Sequence, residues 1–87
     1  MSDITLGQLR DAIDAIDDQI LQLLCKRMEV ARQIRQVKAK TPGTVYRPKR
    51  EKEILDRLKS ADKGLLPDRA VDAIFSAIFS ASRDLQQ

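Results

Sequence analysis

Arg10, Arg27, Lys38, Arg50, Glu51, Ser82 and Gln86 are the residues of this chain whose types and spacing bear on chemistry. Four are cationic donors, one is a carboxylate and two are neutral hydrogen-bonding groups. Such a set suits binding a compact dianion and stabilising charge as it separates. It does not suit covalent catalysis or stepwise proton transfer, because no nucleophile–base pair is present. The chain has no His and one Cys, Cys25. That excludes His-based catalysis, ordinary zinc catalysis and an intrachain disulfide. No Gly loop of the phosphate-cradling kind occurs. Neither a metal nor a cofactor is expected.

Arg27 is the most telling of the seven. Leu6, Leu9, Ile13, Ile16, Ile20, Leu23, Arg27, Val30, Ile34 and Val37 alternate at spacings of three and four. This is a heptad seam, and Arg27 breaks it. Arg27, Ala31, Ile34 and Lys38 share one helical face. Burying an unpaired cation there costs several kcal/mol, on the order of the usual desolvation penalty, so something anionic should compensate. Three readings stay open at this point: internal salt bridges or side chains that snorkel to water, a polar device that sets helix register, or a partly buried anion pocket.

The seam predicts a first helix from about Thr5 to about Lys40, some 50 Å long at ~1.5 Å per residue. Thr5 or Asp3 can cap its start, and Thr41-Pro42-Gly43 stops it. Pro48 suits the first position of a second helix, which carries Ile54, Leu55 and Leu58 to about Ala61 and ends at Gly64. Arg50 and Glu51 flank its apolar stripe. Pro67 is expected to start a third helix with Val71, Ile74, Phe75, Ile78, Phe79, Ser82 and Leu85 facing inward, and Gln86 continues that stripe one turn after Ser82. The fold class is therefore all-α, one long N-terminal helix plus two shorter ones, in a single domain over residues 1–87.

Two short helices cannot cover both faces of the first one. A second copy of the chain is the simplest cover, giving an intertwined homodimer. Arg10 lies seventeen residues before Arg27, about 25 Å along one helix, so the two cannot clamp one small ligand within a chain. In a crossed or antiparallel dimer, Arg10 of one chain can meet Arg27 of the other. Taken alone, it reads as an ordinary exposed residue.

The 87 residues carry a net charge of +3, with 43% hydrophobic and 33% charged residues. Aromatics are scarce and no long Lys/Arg run occurs, which argues against nucleic acid as a partner. No apolar run approaches the ~20 residues of a membrane span, and no secretory signal opens the chain, so a cytoplasmic protein is expected. Cys25, inside the helical pattern, reads as a buried spectator.

Five blocks carry a more specific likeness. They are Leu9-Arg10-Asp11-Ala12-Ile13-Asp14 with Ile16-Asp17, Leu23-Leu24-Cys25-Lys26-Arg27, Val37-Lys38-Ala39-Lys40, Tyr46-Arg47-Pro48-Lys49-Arg50-Glu51, and Ile74-Phe75 through Ser82 and Gln86. In order and at compatible spacing, they resemble the all-helical chorismate mutases (AroQ class) over nearly the whole chain. The fourth block is similar to members fused ahead of prephenate dehydratase. The chain is then either a free-standing mutase or the N-terminal domain of a longer bifunctional protein. The resemblance implies the Claisen rearrangement of chorismate to prephenate, in phenylalanine and tyrosine biosynthesis. It also implies a dimer whose two sites each borrow Arg10 from the partner. By the same carry-over, Arg10, Arg27 and Arg50 orient the substrate's two carboxylates, and Ser82 contacts one of them. Lys38 and Gln86 hydrogen-bond the ether oxygen. Glu51 holds the ring hydroxyl, with the backbone around Arg47, where some relatives carry an acidic residue. An isochorismate-pyruvate lyase on a similar fold and a non-catalytic helical dimerisation module are the rival readings.

Overall fold

The computed structural model describes residues 3–38 and 48–86, with the side chains of Lys38 and Gln86 outside that description. Three helices account for nearly all of it: α1 (Leu6–Lys38), α2 (Pro48–Ser60) and α3 (Asp68–Gln86). Thr5, not Asp3, caps α1. Its Oγ1 accepts from the Gln8 backbone N–H at 3.1 Å, and Gln8 Oε1 accepts from the Thr5 N–H at 2.9 Å. This reciprocal box satisfies two donors that a helix start would otherwise leave bare. Pro48 is the first residue of α2, where a missing N–H costs nothing. Pro67 stands one residue ahead of α3 rather than within it. Its carbonyl accepts from Ala70 and Val71, so it closes the first turn from outside.

Between α2 and α3 the chain reverses through Gly64, whose φ of 56° is one that glycine adopts without strain. Two ion pairs fasten this corner: Lys59 Nζ to Asp72 at 2.7 Å and Lys63 Nζ to Asp68 at 2.8 Å. Lys63 also donates to the Lys59 carbonyl at 2.7 Å, tying down the end of α2.

These pairs give the fold a pH signature. The hydrogen bond from Lys63 lowers the Asp68 pKa. Its contribution to stability is therefore complete above the ordinary carboxylate pKa and is lost as pH falls through the lowered one. The hydrogen bond to Asp72 raises the Lys59 pKa. That contribution is complete below the ordinary ammonium value and is lost as pH rises through the raised one. Solvent screens both pairs, so the effects are small. Asp68→Asn should melt slightly below the wild type at neutral pH and together with it in strong acid. A gap that persists in acid would assign the loss to something other than the ion pair.

Helix α3 is the middle element. It packs against α1 on one side and α2 on the other, while α1 and α2 do not pack on each other. Val71 and Phe79 of α3 and Ala31 of α1 are the buried apolar residues among those described, joined by Ser82. Phe75, Ile78 and Leu85 are half-buried. Ile74, expected inward, is 47% exposed, because it lies at the edge of the stripe that α1 and α2 cover.

The rest of α1 lies bare. Leu9, Ile13, Ile16, Ile20, Leu23, Val30, Ile34 and Val37 are all more than two-fifths exposed. The radius of gyration is 16.9 Å, against about 12 Å for a compact domain of this length. The accessible surface is 7210 Å², against about 5,200 Å² for a compact monomer of this mass. Cys25, expected to be buried, is exposed. It lies on the flank of α1 away from the seam, in an open groove with Leu21, Leu24, Met28 and Leu85. Leu85 of α3 borders that groove but leaves Cys25 exposed.

Candidate active site

The candidate groups gather along the C-terminal half of α3, which α1 flanks on one side and α2 on the other. Arg27 comes from the half of α1 that α3 covers, one turn before Ala31. Its Nη1 donates to Ser82 Oγ at 2.8 Å. The Ser82 hydroxyl in turn lies 3.7 Å from Met28 Sδ and can donate to it. Ser82 is thus a buried hydroxyl with both a donor to receive and an acceptor to serve, which explains its place on an apolar stripe. The Arg27 guanidinium carbon sits 5.5 Å from the centre of the Phe79 ring. Phe79 packs on Phe75 with centroids 6.1 Å apart and planes tilted by 57°. A hydroxyl and an aromatic face therefore fix the guanidinium in place, and neither neutralises it.

Helix α2 brings the remaining charges. Burial, first, and then repulsion from Arg50 push the Arg27 guanidinium below its ordinary pKa, while Glu51 pulls the other way. Arginine stays charged at any working pH, so the strain remains as unbalanced positive potential. Glu51 does not reach across to Arg27. Its Oε2 accepts from Arg83 Nη1 at 2.6 Å. Arg50 leans outward, 3.7 Å from Glu53, in an exposed pair. Among these described side chains Glu51 offsets the Arg27 guanidinium only partly, so an incoming anion can offset the rest.

Four of the sequence candidates, Arg27, Arg50, Glu51 and Ser82, therefore share one corner of a single chain. Arg10 does not join them; it is exposed, about 25 Å from Arg27 along α1. Lys38 and Gln86 end α1 and α3, and their side chains, with the whole of Arg47, lie outside the described residues. Arg83 and the ring of Phe79 are additions that sequence reasoning did not assign to the site. One signal for Arg83 was visible: it falls four residues after Phe79, on the flank of the inward stripe.

The chain matches the family model "Chorismate mutase type II" over residues 9–87. It is 44% identical over 71 residues to a bifunctional chorismate mutase/prephenate dehydratase of Neisseria gonorrhoeae, covering 82% of this chain and 19% of that protein. The corresponding bifunctional protein of Aquifex aeolicus is 35% identical over 86 residues, 94% of this chain and 24% of its own length. The chain thus spans about a fifth to a quarter of these bifunctional relatives. A chorismate mutase of Methanocaldococcus jannaschii is 30% identical over 83 residues, 94% of this chain and 84% of that one. Among solved structures, chorismate mutase from Helicobacter pylori in complex with prephenate superposes with a TM-score of 0.86 at 40% identity, over 93% of this chain and 88% of that one. Form II of the Thermus thermophilus chorismate mutase gives 0.90 at 33% identity, over 93% and 92%. With the matched region running from α1 through α3 and the same three-helix path in these structures, the chain belongs to the chorismate mutase type II family.

Proposed function

We propose that this chain converts chorismate to prephenate, in the cytoplasm, as one half of a homodimer. The observation that carries the reading is the Arg27 corner: a partly buried guanidinium held by Ser82 and Phe79, beside Arg50, with its charge only partly offset by Glu51. Chorismate is a dianion with a ring hydroxyl, and its chemistry fits that balance. The rearrangement breaks one C–O bond and forms one C–C bond within a single molecule, and no proton enters or leaves. It needs no base and no nucleophile, only a folded-over substrate and stabilisation of the charge that grows on the ether oxygen. Arg27 and Arg50 orient carboxylates, Ser82 supports Arg27 and touches a carboxylate, and Glu51 accepts from the ring hydroxyl. Lys38 and Gln86 serve the ether oxygen, and the backbone around Arg47 helps Glu51 with the ring hydroxyl. The prephenate complex of the Helicobacter pylori relative supports this choice of substrate.

The second copy rests on the bare seam. The accessible area exceeds that of a compact monomer by about 2,000 Å², with 7210 Å² exposed in the single chain. Obligate homodimer interfaces bury roughly 2,000–5,000 Å² in total. A partner helix laid along Leu9, Ile13, Ile16 and Ile20 covers that surface and delivers Arg10 to the other chain's Arg27.

Chorismate supplied to the purified chain should disappear and prephenate should accumulate, while isochorismate should release no pyruvate. Pyruvate from isochorismate with chorismate untouched would assign the corner to the lyase reaction instead. Inertness toward both by a folded dimer would leave it a dimerisation module.

A further inference from the structure

We infer that Arg83 is a positioning residue of this site: it fixes Glu51 for the substrate and keeps it away from Arg27. The inference rests on the mutase reading given above. The pair joins α2 to α3 at 2.6 Å, with side chains only 31% and 21% exposed. Both partners of this pair are less than a third exposed, unlike the pairs at the α2–α3 corner, each of which has one more open partner. A charge-assisted hydrogen bond is stronger in such surroundings than at the surface.

The geometry divides the Glu51 carboxylate in two. Oε2 is committed to Arg83, which leaves Oε1 as an acceptor for a hydroxyl. The other consequence concerns Arg27. Glu51 already attracts that guanidinium at a distance. Released from Arg83, the carboxylate can turn toward that partly desolvated cation, and doing so would consume the charge meant for the substrate. Arg83 thus does two things with one bond. It orients an acceptor for the hydroxyl end of the ligand, and it preserves a cation for the carboxylate end.

Arg27 keeps its place and is only partly offset, so both effects act chiefly on ground-state binding and fall mainly on KM. Arg83→Leu should raise the KM for chorismate about tenfold, the size expected from losing one charge-assisted contact, with kcat within about threefold. Arg83→Lys should recover part of the affinity, because an ammonium can still reach one carboxylate oxygen. In a Glu51→Gln background, Arg83→Leu should change KM by less than about twofold, since its effect passes through Glu51. A merely structural Arg83 behaves differently: it lowers the melting temperature and the folded fraction, which reduces apparent kcat and leaves KM where it was. An unchanged KM in Arg83→Leu, or a tenfold loss that persists in the Glu51→Gln background, overturns the inference while leaving the mutase reading intact. Wild-type turnover is the control for that reading. Its absence would overturn both together.

Discussion

Lys38→Ala loses turnover by two to three orders of magnitude and keeps a KM within a few-fold of wild type. The reaction sets this size. As the ether C–O bond breaks, negative charge collects on oxygen, and a fixed ammonium in a dry site is worth on the order of 3–4 kcal/mol there. The ground-state ether carries little charge, so the same ammonium contributes little to binding, and its loss appears in kcat. Placement on the helix agrees with this role. Lys38 is the last residue of α1, eleven residues beyond Arg27 and on the same face. The two backbones are about 16 Å apart at ~1.5 Å per residue. A lysine that merely anchored a carboxylate would give the opposite signature, a raised KM with kcat preserved. A Lys38→Ala enzyme with undiminished kcat would remove the electrostatic role altogether and leave orientation as the whole of the acceleration. Melting curves of the two proteins should coincide, because a residue at the end of α1 has little of the core to disturb.

The order and type of the three helices were legible in the sequence because each rests on a short-range rule. The three-four spacing of apolar residues requires a helix long enough to hold them all, Pro48 fits a helix start, and Gly64 fits a turn. Arg27 was legible for a different reason: a cation on an apolar seam contradicts the pattern around it, and contradictions of that kind tend to be functional. Arg83 was not legible in the same way. Its partner Glu51 lies on another helix, and which flank of α3 meets which flank of α2 depends on how the two helices rotate against each other. No spacing within either helix encodes that rotation. Cys25 and Ile74 failed for a related reason. Periodicity identifies an apolar side of a helix, but two short helices cover only part of it, and these residues fall beyond the covered part. The seam itself was read correctly as apolar, and its exposure in a single chain is what such a reading requires if the cover comes from outside.

That cover makes the most discriminating prediction. Arg10→Ala and Arg27→Ala should each be nearly inactive, about two to three orders of magnitude below wild type, since each removes a cation that orients the substrate. Mixed in equal amounts and allowed to exchange subunits, the two dead proteins should recover about a quarter of wild-type activity. The number follows from the proposed placement of the two arginines. Random exchange makes half of the dimers mixed. In a mixed dimer, one site takes its Arg27 from the Arg10→Ala chain and its Arg10 from the Arg27→Ala chain, so it is whole; the other site lacks both. Half of the dimers with half of their sites gives one quarter. If Arg10 served its own chain, every site in the mixture would lack one arginine and no activity would return. The single-chain geometry already argues against that arrangement, because about 25 Å of rigid helix separates the two residues and Arg10 stands exposed on it. Recovery would therefore establish the dimer and the direction of the exchange in one measurement. Its absence, with a dimer demonstrated by light scattering, would leave the seam covered and Arg10 outside the site.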